Sequence, residues 1–341
     1  LYLSDFFQNT LHLGATWKLV LGLVFVLLIC FLRRGLVGGI TDVYAYLAGR
    51  RTNTSDPDDA PAVGAAALPK SANAAAVPES LHRPAPEGFS GPILQATGLT
   101  KRYGGVIANS DITFTVKHGE VRGIIGPNGA GKSTFFKMLT CEVQPTSGTI
   151  VFDGRDITPM GVTDVCQLGL TKSYQVNQLF TRLTVGQNIT IAVLAALRGK
   201  FRLDLFRNPA RIRGLAAQVE HTLELVNLAG RTDTPVSALA YGEKRRLEIG
   251  LALASNPSLL LLDEPLAGMS PSERVETVKL LKSISQGRTM IVIDHDMDAL
   301  FELVEYITVL QEGRVLVEGT PDEIKGNAAV QEAYLGGVIA P

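Results

Sequence analysis

The pattern of apolar and polar positions divides the chain into stretches of different character. From Leu19 to Leu32 (LVLGLVFVLLICFL) it is uninterruptedly apolar. Extended back through Lys18 and Trp17 to Leu11, the run reaches about the 20 residues that a bilayer-spanning helix needs. From Arg51 to Pro92 no hydrophobic period survives, and Ala, Pro, Ser, Asp and Asn dominate. From Ile93 onward the pattern is that of a folded domain. Asp111 to Val116 alternates polar and apolar, as a half-buried antiparallel strand does, and Thr149 to Phe152 before Asp153-Gly154 is a second such strand. Val121 to Ile125, Leu259 to Leu262 and Met290 to Ile293 are short and almost uniformly apolar, which predicts strands of a parallel sheet buried on both faces. Roughly residues 179–258 read as mostly helical, with a long run from Lys244 to Leu253. The expected fold is α/β, a parallel core flanked by an antiparallel sheet and a helical part.

The amino end carries Asp5 before the apolar run and Arg33-Arg34 after it. A signal peptide needs the reverse order, positive residues first and a small-residue cleavage site last. The positive-inside rule places the carboxyl side of a membrane helix here in the cytoplasm. A buried helix of a soluble domain is the alternative, because the uncharged core is short. The 51–92 segment reads as a flexible linker, about 35 Å from end to end for a chain of roughly 40 residues. Expected divisions are therefore 1–50 with a transmembrane helix at about 11–32, a linker at 51–92, and a domain at 93–341.

Composition narrows the classes. A 341-residue chain with 46% hydrophobic residues and net charge -1 has enough apolar sequence for a sizeable core and no basic excess that points to nucleic acid. Its cysteines, Cys30, Cys141 and Cys166, are odd in number and lack metal-site spacing, which argues against a disulfide framework and for a reducing compartment. The first residue is Leu1 rather than Met, which suggests a piece of a longer chain or a processed product.

The candidate chemistry centres on Gly126-Pro127-Asn128-Gly129-Ala130-Gly131-Lys132-Ser133-Thr134, which fits G-x-x-x-x-G-K-[ST] between a short strand and a helix. Glycines let backbone N–H groups turn toward a phosphate, and the helix start adds donors and a positive dipole end. Lys132 would reach the β- and γ-phosphates, and Ser133 would take a coordination position on Mg²⁺. A ligand-free glycine-rich turn is the bland alternative. Leu259–Leu262 ends on Asp263-Glu264-Pro265, carboxylates at the ligand-binding end of a parallel strand. Asp263 would hold Mg²⁺ and Glu264 would take the proton of an attacking water. Met290–Ile293 leads to His295 at the same rim, which could orient that water or be a packing residue. Tyr103 could stack on a base or simply pack. Leu239-Ala240-Tyr241-Gly242-Glu243 opens the helical run from Lys244 and makes a second anion-type helix start, which suggests that two copies face each other.

In this order these pieces resemble an ATP-binding cassette domain of ABC transporters, over about Ile93 to Gly336. The resemblance implies a RecA-like parallel core with antiparallel and helical subdomains, binding ATP and Mg²⁺. It assigns Tyr103 to the base-stacking loop and Gln175 to the Q-loop, where it would reach the metal and γ-phosphate and couple them to a permease. Leu239 to Glu243 become the signature, Asp263 and Glu264 the Walker B pair, Ser270 the D-loop region and His295 the switch histidine. Two such domains pair head to tail in the family, each ATP lying between one loop and the other signature. Leu183-Thr184-Val185, Tyr241 to Ile249, Ala267 to Pro271 and Glu332-Ala333-Tyr334-Leu335-Gly336 are similar to the ATPase subunits of branched-chain amino acid importers. The stretch around Phe31 to Gly38 is similar to the tail of those systems' permeases, which suggests a permease end fused to its ATPase. The implied partners are a second cassette, permease subunits and a periplasmic or extracellular substrate-binding protein, with no nucleic acid. The implied place is the cell's inner or plasma membrane with the ATPase on its cytoplasmic side. An amide or urea importer, or a soluble nucleotide switch, are the alternatives.

Two departures stand out. Ala240 replaces the usual serine and Glu243 the usual glutamine of the signature, so one hydroxyl contact to the partner's γ-phosphate is missing and a weakened but working site is expected. The basic run from Arg198 to Arg213, with Phe201 and Phe206, suits anionic lipid, the permease, or merely a solvated insert.

Overall fold

A computed structural model of the chain describes residues 91–173, 179–198, 212 and 214–335. The apolar segment 11–32, most of the 51–92 linker, Gln175 and most of the basic run after Arg198 lie outside the described residues. Among the described residues no helix is long and apolar enough to cross a membrane.

In chain order the elements are β1 (Leu94–Tyr103), β2 (Val106–Val116), β3 (Val121–Ile125), α1 (Lys132–Leu139), β4 (Ser147–Phe152), β5 (Arg155–Asp156), α2 (Val162–Leu168) and β6 (Leu170–Ser173). Then come α3 (Val185–Arg198), α4 (Leu215–Leu225), α5 (Tyr241–Leu253), β7 (Leu259–Asp263), α6 (Pro271–Ser285) and β8 (Thr289–Ile293). The carboxyl end adds α7 (Met297–Leu303), β9 (Tyr306–Gln311), β10 (Arg314–Gly319), α8 (Pro321–Lys325) and α9 (Ala328–Leu335). They form a four-stranded sheet ordered β2-β1-β4-β5 and a six-stranded sheet ordered β10-β9-β3-β8-β7-β6. The smaller sheet is antiparallel, closed at β4–β5 by the left-handed pair Asp153-Gly154. The larger is parallel from β9 through β6, with only β10 antiparallel at its edge.

The uniformly apolar strands are explained by what covers them. In β7, Leu259 and Leu261 pack into a cluster with Phe114, Phe135 and Phe136, while Leu260 and Leu262 pack into the opposite cluster with Val278, Leu281 and Leu247. In β8, Ile291 and Ile293 face the first cluster, and Met290 and Val292 the second. Every residue of β3, β7 and β8 is buried, so no polar alternation survives. Phe114 of β2 meets Phe135 of α1 edge to face at 5.2 Å, which fastens the small sheet onto the helix after the loop. Arg122 of β3 donates to the Thr115 carbonyl at 2.9 Å and to Glu318 at 2.9 Å, joining β2 to β10. Helix starts follow local rules: Ser270 and Thr320 cap α6 and α8, each followed by Pro and then by Glu273 or Glu323 reaching back.

Candidate active site

The loop after β3 is shaped by close packing. A Cβ on Gly126 would collide with the Leu310 carbonyl of β9. One on Gly131 would lie 2.5 Å from the Ala108 carbonyl of β2, and both glycines have positive φ. The loop's own carbonyls are tied down. Ala130 O accepts from Gly313 N at 3.1 Å in the β9–β10 turn, and Gly131 O accepts from Asn109 Nδ2 at 3.3 Å. No side chain caps α1, so the N–H groups of Lys132, Ser133 and Thr134 at its start suit an anion. Pro127 O accepts from Ala130 N, and Lys132 Nζ donates to the carbonyls of Gly126 at 2.6 Å and Pro127 at 2.9 Å. Burial lowers the Lys132 pKa, and the charge of Glu264 raises it. The loop lysine and the carboxylate after β7 therefore share one electrostatic site. Asn128 and Gly129 form the exposed apex, and Ser133 presents its hydroxyl on the exposed face of α1. Tyr334 of α9 also reaches the loop: its hydroxyl contacts the Gly126 backbone, and burial pushes its pKa up to about 12.

The Walker B turn is held in a costly conformation. Glu264 has φ 48, in the left-handed region that a glutamate seldom adopts. Its N–H donates to Ile293 O at 2.7 Å, and its carbonyl accepts from Arg245 Nη2 at 2.6 Å. The same guanidinium donates to Asp263 O at 2.9 Å and to Glu248 at 2.6 Å, and it is buried. Arg245 of α5 thus fixes the turn that aims Glu264. Asp294, 1% exposed, accepts from Leu266 N and Asp296 N and orders the segment on either side of His295. The His295 ring is 70% exposed at the rim. Burial raises the pKa of Asp263, and Lys172, 3.5 Å away, opposes that rise.

The signature is more occupied than its sequence indicates. Leu239 is buried, and Ala240 is the extended residue that precedes α5. Ala240 N–H donates to the Glu243 carboxylate at 3.0 Å, and Glu243 also pairs with Arg231 at 3.0 Å. Gly242 N–H donates to Glu273 Oε1 at 3.1 Å, a carboxylate projecting from the first turn of α6. Tyr241 OH donates to Ala267 O at 3.1 Å. The start of α5 is therefore stitched to residues 267–273, with carboxylates at its positive end. Its bonds run to Ala267, Arg231 and Glu273. Tyr103 lies at the end of β1, half exposed, with Lys101 Nζ 5.2 Å from its ring centre.

Five participants were not picked out from sequence as members of the site: Lys172, Arg245, Glu273, Asp294 and Tyr334. Each lies inside or beside a recognisable motif, but only tertiary contacts give it a task.

The magnesium assignment fits what the chain offers. Ser133 and Asp263 could offer oxygen ligands, and among the described residues no group of three or more His, Cys, Asp or Glu could cage a metal alone. A cation that takes the rest of its shell from phosphate and water suits that set.

Loop, paired carboxylates at the end of β7 and the strand order define a P-loop nucleotide-binding protein. A family model described as ABC transporter matches residues 109–267, and one described as branched-chain amino acid ATP-binding cassette transporter matches 314–340. The chain is 37% identical over 253 residues to BraF, a high-affinity branched-chain amino acid transport ATP-binding protein of Pseudomonas aeruginosa, covering 73% of this chain and 99% of that one. It is 34% identical to the lipopolysaccharide export system ATP-binding protein LptB of Haemophilus influenzae, covering 72% and 97%. The fold matches the crystal structure of an ATP-binding cassette of an ABC transporter in its ADP conformation, with TM-score 0.64, 26% identity, and coverage of 72% and 99%. The chain belongs to the ATP-binding cassette family of ABC transporters, and it is an ATPase whose hydrolysis is coupled to transport.

Proposed function

We propose that this chain is the ATP-hydrolysing subunit of an importer for branched-chain or related amino acids. The observation that carries the reading is the carboxyl end. The match to the branched-chain cassette model falls on 314–340, and α9 within it brings Tyr334 against Gly126 of the phosphate loop. This contact supports reading the marker segment together with the phosphate loop. BraF agrees over nearly its whole length.

In this reading Lys132 and the α1 start hold the β- and γ-phosphates, and Tyr103 stacks on the base. Ser133 and Asp263, with Gln175, would hold Mg²⁺, which would neutralise phosphate charge. Glu264, fixed by Arg245 and Ile293, takes a proton from the attacking water, and His295 orients the γ-phosphate from the rim. Residues Leu239 to Glu243, at the α5 start, complete the site of a second cassette. Leu11 to Leu32 spans the membrane, the 51–92 linker tethers the cassette on the cytoplasmic face, and the segment before it is the end of a permease. A substrate-binding protein outside delivers the solute.

The test is ATP hydrolysis by the full-length protein in membrane vesicles with its neighbouring gene products, with and without leucine and the substrate-binding protein. Stimulation by leucine is expected. Hydrolysis indifferent to leucine but stimulated by an amide or urea would move the cargo, and stimulation by lipopolysaccharide would reverse the direction of transport.

A further inference from the structure

Lys172 sits where a lysine is costly. It lies on β6, whose residues are all buried, and its side chain is only 6% exposed. Nζ is 3.2 Å from Glu142 Oε1 and 3.5 Å from Asp263 Oδ2, and 5.5 Å from the centre of the Phe136 ring. Glu142 follows the helix that carries the phosphate loop, and it also accepts from Thr140 Oγ1 at 3.0 Å. One ammonium therefore bridges two carboxylates from different elements. A buried ammonium is expensive to desolvate, and an apolar side chain of its size would pack here at no such cost. Its position calls for an electrostatic explanation.

We propose that Lys172 is the resident counter-cation of Asp263, handed over to Glu142 when a divalent cation arrives with the nucleotide. The inference rests on Asp263 being the metal carboxylate, as read above. A cation bound at Asp263 repels the ammonium, and Glu142, 3.2 Å away, is already within bonding distance to receive it, so the exchange needs no rearrangement of the chain. Between turnovers the ammonium balances Asp263. It also competes with free metal, so a cation is held well only when phosphate oxygens come with it. Lys172 is thus a positioning residue that sets metal affinity.

The experiment is Mn²⁺ binding to the full-length protein, read from the electron paramagnetic resonance of free Mn²⁺ with a non-hydrolysable ATP analogue present. Lys172→Met removes the competitor and should tighten Mn²⁺ about tenfold, the size of one partly screened charge contact. Glu142→Gln removes the receiving carboxylate, leaves the ammonium on Asp263, and should weaken Mn²⁺ binding several-fold. The two shifts are opposite in sign, whereas a packing role would move both variants alike or neither. Unchanged or weaker binding in Lys172→Met overturns the proposal. If that variant does not fold, unchanged or tighter binding in Glu142→Gln overturns it. Asp263→Asn is the separate check: should it bind Mn²⁺ as the parent does, Asp263 is not a metal ligand and the earlier reading fails instead.

Discussion

Removing the Arg245 guanidinium tests whether α5 holds the catalytic turn. Arg245 is 6% exposed and Glu248 is 8% exposed, so the pair is out of water. Arg245→Met deletes the bonds to Glu248 and to the carbonyls of Asp263, Glu264 and Pro265. It leaves a buried carboxylate without its cation, which costs about 3 to 5 kcal/mol. For a domain of this size that lowers the melting temperature by on the order of 10 °C. Arg245→Met combined with Glu248→Gln removes the orphaned charge, and the double variant should regain about 1 to 3 kcal/mol. Stability would be read from urea unfolding with the adenine nucleotide absent, and turnover at a temperature where all variants are folded. Glu264 keeps its bond to Ile293 but loses the guanidinium, so the double variant should bind ATP normally and hydrolyse it at least tenfold more slowly, about 1.4 kcal/mol of transition-state stabilisation. A single variant within 1 kcal/mol of the parent, or a folded double variant with parental turnover, would refute the clamp.

Three further outcomes follow from the same geometry. Glu264→Gln should keep ATP binding while turnover falls about 10²- to 10⁴-fold, measured by single-turnover hydrolysis; rapid hydrolysis would remove Glu264 from the base role. Ala240→Ser should place a hydroxyl at the N-cap of α5, raising stability by about 1 kcal/mol in thermal unfolding as well as lowering the KM for ATP; no change in either would leave that hydroxyl without a task. Hydrogen bonds from Ser270 and the Gly242 N–H hold the Glu273 pKa below its ordinary 4.5. A depressed carboxylate stabilises the fold above its ordinary value and loses that contribution as pH falls through the folded one. Glu273→Gln should therefore be less stable than the parent at neutral pH, with the gap in urea midpoint narrowing as pH falls below the ordinary 4.5; a gap that stays constant would remove the charge from the explanation.

The elements that carry the loop and the Walker B pair were legible because their signals are local. Leu259 to Leu262 must be buried on both faces wherever it lies, and a glycine-rich turn between a strand and a helix places its own N–H groups. Ser270-Pro271 and Thr320-Pro321, each with a glutamate two residues on, fix helix starts by themselves. What was not legible depends on partners distant in sequence. Nothing in Leu170 to Ser173 indicates that Lys172 meets Asp263 from the neighbouring strand. Nor does anything in Lys244-Arg245-Arg246 indicate that Arg245 turns inward onto the carbonyls of Asp263, Glu264 and Pro265. The signature start looked open, since α5 alone leaves its N–H groups unpaired; Glu273 fills that place only because α6 begins beside it. The left-handed Glu264 carries no sequence mark, because the strain is imposed by Ile293 and Arg245 from outside the turn.

The neighbours of the phosphate loop also set an order in time. Gly126 to Thr134 leave the ribosome before Gly313, which donates to Ala130, and before Tyr334, which touches Gly126. At about 5 to 20 residues per second, on the order of ten seconds or more separate the loop from the residues that seat it. A nascent cassette is thus a strand and helix with an unseated loop until Gly313 and Tyr334 emerge. Chains that stop short of Gly313 would lack the bond to Ala130 that seats the loop.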